Sequence, residues 1–166
     1  SDGGGIEVAN YGSITVDANY DATGISASSY SGNVLVVNGG SIDAATAYGD
    51  DAIGIEASSV YGDVSVRTQA GSSIAATNAT GDATGIDASA DSGGQVYVRN
   101  DGSITVEGSP YYNDEVYVTG IRAEAGDYFD GGETGGWTLG SVTVRNYGTI
   151  DVSGGYDVWG IDASTD

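Results

Sequence analysis

Three short motifs recur in fixed rotation along this 166-residue chain, and a period of this kind restricts the fold more tightly than composition does. The first, G-S-I-x-V in variants, spans Gly12 to Val16, Gly40 to Ala44, Ser72 to Ala76, Gly102 to Val106 and Gly148 to Val152. The second, G-I-x-A, spans Gly24 to Ala27, Gly54 to Ala57, Gly85 to Ala88, Gly120 to Ala123 and Gly160 to Ala163. The third is V-x-V followed two residues on by Asn or Thr: Val34 to Asn38, Val64 to Thr68, Val96 to Asn100 and Val142 to Asn146, with Ile6 to Asn10 as an opening copy. We label them A, B and C.

The Ile of motif A falls at 14, 42, 74, 104 and 150, giving steps of 28, 32, 30 and 46 residues. Each motif alternates apolar and polar residues, the signature of a strand with one face turned inward. In the first full coil the inward set is expected to be Ile14 and Val16, then Thr23, Ile25 and Ala27, then Val34 and Val36. Strands this short bury nothing alone, so successive coils must stack at about 4.8 Å, like motif on like motif, in parallel. The expected fold is an all-β parallel β-helix, or β-solenoid: one segment over 1-166, three short strands per coil, about five coils of about 30 residues.

The corners agree. Asn10, Asn38, Asn100 and Asn146 end motif C just before Gly12, Gly40, Gly102 and Gly148, where a bend is expected to use residues tolerant of left-handed backbone. An inter-coil amide ladder through these four Asn follows from their common register. Two stretches exceed the scaffold, 107-117 between motifs A and B and 124-140 between B and C, and together they produce the 46-residue step. Insertions in solenoids emerge on the outside and carry contacts.

Composition narrows the chemistry. With 24 Asp and Glu against 4 Lys and Arg, the net charge is −20 and every cation is Arg, which repels nucleic acid and anionic membrane. The chain has no Cys and no His, so disulfides, zinc, haem and most transition-metal chemistry are excluded. No stretch is apolar enough to span a bilayer, and direct membrane insertion is not expected. The acidic surface suits a soluble, cation-rich exterior.

G-S-I-x-V, then A-T-G-I-x-A, then G-x-V-x-V-x-N-x-G resembles the passenger repeats of bacterial autotransporters and filamentous-haemagglutinin-like adhesins, over essentially the whole chain. The resemblance implies a right-handed β-helix at, or shed from, a bacterial surface, used as a stalk or adhesin in an extracellular setting. The family's translocator barrel and secretion signal have no counterpart in these residues, and no catalytic motif is shared.

Outward positions form columns. On motif C the residue after the second inward Val is Val37, Arg67, Arg99 and Arg145, which stacks three Arg in a row. Adjacent charges there repel by roughly 1 kcal/mol in water. A structural ladder of stacked guanidinium groups paired with acids is preferred to an anionic-glycan site. On motif B the column reads Ser26, Glu56, Asp87, Arg122 and Asp162. Glu56 beside Asp87 resembles a glycosidase carboxylate pair but is expected to lie on a flat solvated face. An enzyme is therefore not expected, a polysaccharide-active β-helix being the minor alternative by fold analogy.

Calcium is the cofactor to consider, bound weakly at the surface by Asp127, Asp130 and Glu133 in a Gly-rich turn or by Asp50 and Asp51. Neither group fits an EF-hand. Tyr111, Tyr112, Tyr117, Tyr128, Phe129 and Trp137 crowd the two insertions, where aromatics suit contacts to host or bacterial glycans or surface proteins, or packing of the insertion on its scaffold. Reading the last residues onto the first gives I-D-A-S-T-D then S-D-G-G-G-I-E-V, which parallels Ile86 to Val96. The segment is thus an integer number of coils, expected to continue within a longer fibre or by stacking of its own copies end to end.

Overall fold

The computed structural model describes residues 4–49, 51–109, 116–129 and 137–165, with the backbone alone for Phe129 and Trp137. The first coil is β1 (Ile6–Asn10), β2 (Ser13–Ala18) and β3 (Ala22–Ser29); the second is β4 (Val34–Asn38), β5 (Ser41–Thr46) and β6 (Asp51–Ser59). The third is β7 (Val64–Thr68), β8 (Ser73–Asn78) and β9 (Asp82–Ala90), and the fourth β10 (Gln95–Asn100), β11 (Ser103–Glu107) and β12 (Tyr117–Ala125). A two-stranded hairpin, β13 (Tyr128–Phe129) with β14 (Trp137–Thr138), precedes the fifth coil of β15 (Ser141–Asn146), β16 (Thr149–Ser153) and β17 (Asp157–Thr165).

Like motif stacks on like motif throughout. Sheet C is β1-β4-β7-β10-β15, sheet A is β2-β5-β8-β11-β16, and sheet B is β3-β6-β9-β12-β17. All their pairings are parallel, so the protein is a β-solenoid of three five-stranded sheets. The register follows the motif alignment residue for residue: Ile14 pairs Ile42, Ile42 pairs Ile74, Ile74 pairs Ile104 and Ile104 pairs Ile150. The inward columns make one core, with Ile42, Ile55, Ile74, Ile86, Ile104 and Ile121 among its largest fully buried side chains. Burying each such side chain stabilises by about 1.5–3 kcal/mol relative to exposure.

Motif B departs from simple alternation. Ala22 is fully buried and Thr23 only partly, whereas the sequence pattern placed Thr23 inward. Gly24 shifts the alternation by one residue, so Ala22 and Ile25 point inward three positions apart. The reason is a seat. A Cβ on Gly54 would fall onto Ile74 Cγ2, and a Cβ on Gly85 would come within 2.5 Å of Ile104 Cγ2. The Gly of each G-I-x-A therefore receives the motif A Ile of the next coil.

The motif C corner also corrects the expectation. Positive φ occurs, among the described residues, only at Gly71, Gly93, Gly154 and Gly155, so the Asn corners use no left-handed backbone. Instead Asn38 Oδ1 accepts from Gly40 N at 3.3 Å and Asn100 Oδ1 from Gly102 N at 3.2 Å, two residues on in each case. Gly is needed because coils touch: a Cβ on Gly40 would land on the carbonyl oxygen of Gly12. Both insertions are narrower than the motif spacing implied. Glu107 and Tyr117 remain in sheet pairing, as do Glu124 and Ala125.

Candidate functional site

The three faces differ sharply in charge. Within the strands of sheet C the ionised side chains are Arg67, Arg99, Arg145 and Glu7, three cations against one acid. The strands of sheet A carry Asp17, Asp43, Glu107 and Asp151 and no cation. Those of sheet B carry seven acids and Arg122. A chain with net charge −20 thus keeps all its cations but Arg122 within the strands of one sheet.

The pairing register places Val37, Arg67, Arg99 and Arg145 in one column. The guanidinium groups lie over Tyr rings: Arg67 is 5.7 Å and Arg145 5.9 Å from the Tyr97 ring centre, and Arg99 is 5.3 Å from that of Tyr147. Cation–π attraction of about 0.5–1 kcal/mol per exposed pair offsets the mutual repulsion. Arg99 also donates from Nε to Asp101 Oδ2 at 2.6 Å and from Nη2 to Oδ1 at 3.1 Å, and this bonding raises its pKa above the ordinary arginine value. Among the described residues Arg67 and Arg145 make no ion pair. The column is therefore an Arg–Tyr weave, with one acid partner.

A groove of about 560 Å³ opens on this face. Val37 lies in it, and Arg67, Gln69, Tyr97, Arg99, Asp101 and Tyr11 give it chemical character. Tyr11 is 69% exposed. Cations, aromatic faces, an amide and a carboxylate converge there, a set suited to binding and orienting a polar ligand.

Sheet B carries a second concavity of about 390 Å³, where Tyr117 and Trp159 stack with ring centres 5.8 Å apart and an interplanar angle of 6°. Asp82, Arg122, Glu124 and Asp162 line it with them. The column Ser26, Glu56, Asp87, Arg122 and Asp162 is in register as expected. Ser26 Oγ donates to Glu56 at 2.8 Å, and Arg122 lies 3.9 Å from Asp87 and 3.0 Å from Glu124. Asp87 is less solvated than the sequence pattern suggested: burial pushes its carboxyl above the usual carboxylate range, partly opposed by Arg122.

The Asn column is in register too. Asn10 donates to Asn38 Oδ1 at 2.9 Å and Asn100 to Asn146 Oδ1 at 2.8 Å. In the third coil Thr68 takes the position and donates to Asn100 Oδ1. Of the residues considered for calcium, Asp50, Asp130 and Glu133 lie outside the described residues, as do Tyr111 and Tyr112 and the side chains of Phe129 and Trp137. Asp127 accepts from Gly140 N at 2.9 Å. It lies two residues beyond Ala125, the last residue of β12, whereas Asp51 opens β6, so the structure places these two at opposite ends of sheet B strands. Among the described residues no three acids form a group able to hold a metal ion.

Two arrangements were not anticipated from sequence. Tyr30 meets Tyr61 edge to face at 5.2 Å, and Tyr61 meets Tyr128 at 6.2 Å, so the hairpin base joins an aromatic stripe along the B-to-C corner. The neighbouring Tyr30 raises the pKa of Tyr61 above the ordinary tyrosine value. Beneath the stripe, buried Ser29 and Ser59 accept from Gly32 N and Gly62 N at 2.9 Å each. The signal was present as S-S-Y and S-S-V-Y directly after motif B. No family model matches the chain, and neither the curated proteins nor the solved structures yield a match.

Proposed function

We propose that the chain is a structural and adhesive segment of a bacterial surface protein, a stalk or adhesin displayed outside the cell. The observation that carries this reading is the separation of roles between core and faces. Inward columns repeat from coil to coil, while the outward columns differ by sheet and gather the Arg–Tyr groove on sheet C. A repeated core with individual faces suits a rod that holds contacts at a distance from its anchor. Its partners are then adjacent repeat units along the rod and glycans or surface proteins across the gap, with weak calcium screening of acids as an accessory. The resemblance of the motifs to autotransporter and haemagglutinin-like repeats supports the bacterial, extracellular setting. The test is display of residues 1-166 on a non-adherent bacterium, with retention on glycan- or cell-coated surfaces measured under flow. Retention no better than that of the undisplayed host overturns the adhesive role, and release of reducing ends from a polysaccharide coat would replace it with an enzyme.

One observation favours a second reading, stacking of copies into a filament, sheath or matrix. Coil already stacks on coil through three sheets whose pairings are all parallel and in register, a packing rule that one copy can extend to another as well as one coil to the next. Sedimentation showing a concentration-independent monomer of the isolated chain would remove this reading.

A further inference from the structure

We infer that the sheet C groove binds an acidic sugar, a carboxylate-bearing hexuronate unit, with Arg67 as its anchor; the inference rests on the adhesive reading only for its setting, not for its chemistry. Inside the groove Arg99 is neutralised by Asp101 through two hydrogen bonds of 2.6 and 3.1 Å. Arg67 is exposed and makes no ion pair among the described residues. The groove therefore offers one uncompensated positive charge, the complement of one carboxylate. A guanidinium presents two parallel donors to a carboxylate, and it is more weakly hydrated than an ammonium, so it gives up water readily. Its seat over the Tyr97 ring, 5.7 Å from centre to guanidinium carbon, holds it in place beforehand.

The remaining lining fits the rest of a sugar. The Tyr11 ring, 69% exposed, offers an apolar face for the C–H side of a pyranose. Gln69 supplies both donor and acceptor, and Asp101 has acceptor capacity beyond its bonds to Arg99, for hydroxyl groups. The volume of about 560 Å³ falls within the range of small-ligand sites, roughly 300–1,000 Å³. Nucleic acids are disfavoured, because one free cation does not offset the repulsion between a long run of phosphates and a molecule with net charge −20.

The experiment is an amide chemical-shift titration of the soluble chain with tri-galacturonic acid, with maltotriose as the neutral counterpart, up to about 10 mM, the weak end of specific recognition. Tri-galacturonic acid is expected to move the amides of Arg67, Gln69 and Tyr97, and maltotriose to leave them nearly unmoved. Arg67→Ala is expected to weaken binding roughly tenfold or more, as loss of a charged hydrogen-bond partner does. Arg122→Ala, which removes an equal charge on sheet B and away from the groove, leaves binding unchanged. Equal shifts from maltotriose, no shifts from the acidic trisaccharide, or equal losses in the two Arg variants would each overturn the inference. Binding without surface retention would remove the adhesive reading and leave this one standing; retention without binding would do the reverse.

Discussion

Substituting Ala for the same motif Gly in two different coils separates packing from backbone preference. At Gly85 a new Cβ would meet Ile104 Cγ2 at 2.5 Å, the carbonyl oxygen of Gly120 at 2.6 Å and Val106 Cγ2 at 3.2 Å. Comfortable carbon contacts lie at about 3.5–4.0 Å, so the overlap is about 1 Å. Ile104 and Val106 are 1% and 0% exposed and have nowhere to retreat, and the Gly120 oxygen moves only with the next coil. Overpacking of this kind costs about 1–3 kcal/mol, and a backbone collision belongs at the top of that range. Against it stands a gain of about 0.4–1 kcal/mol from a less flexible unfolded chain. Gly85→Ala is therefore expected to destabilise by about 2 kcal/mol. At Gly160 an added Cβ meets nothing within 4 Å, and only the favourable entropy remains, so Gly160→Ala is expected to stabilise by about 0.4–1 kcal/mol. Urea titration of the 166-residue chain, followed by circular dichroism and by Trp fluorescence, measures both and tests whether the coils unfold together. Equal losses in the two variants would refute the seat and make Gly a conformational requirement of the bend.

Ile74→Ala, at a side chain 1% exposed between two covering coils, is expected to cost about 2–5 kcal/mol, and Ile14→Ala at the half-buried edge distinctly less, by the same titration. Asn100→Ala removes the donor to Asn146 and the acceptor for Thr68 and Gly102; the orphaned corner groups are expected to cost about 1–3 kcal/mol in thermal or urea melting. Asp87 has a folded pKa above its ordinary value, so the folded state holds its proton more tightly. Its stabilising contribution is complete below the ordinary carboxylate range and is lost as pH rises through the folded pKa. Asp87→Asn should therefore be more stable than the native chain at pH 7, with the gap closing near about pH 4, the ordinary Asp value. A gap of constant size across that window, in urea midpoints, would contradict the burial argument.

Most of the fold was legible because a solenoid makes one local rule repeat. The Ile of motif A announced sheet A, and its steps of 28, 32, 30 and 46 residues became the observed pairings without a slip. What alternation alone concealed was three-dimensional contact between coils. Thr23 reads as inward by counting in twos, and Ala22 takes that place only because Gly24 yields its volume to Ile42 of the next coil. The corner Gly residues misled for the same reason: Gly is equally a mark of left-handed backbone and of close approach, and a linear string does not distinguish a turn from a neighbour lying on top of it.

The candidate site shows the same boundary from the other side. The Arg column was visible in the string, since register alone aligns Arg67, Arg99 and Arg145. Their partners were not, because Tyr97 sits two residues before Arg99 on the same face and reaches Arg67 and Arg145 one coil away on either side. Once register is known, however, sorting charged residues by sheet needs no coordinates. It places Arg67, Arg99 and Arg145 with Glu7 on sheet C and Asp17, Asp43, Glu107 and Asp151 on sheet A. Neutral drift on a uniformly acidic surface has no reason to gather three of 4 cations on one sheet and leave two of them without an acid partner among the described residues, since each gathered charge raises the repulsion on the next. The proposed acidic ligand would supply that reason, since its charge would compensate what the protein leaves open.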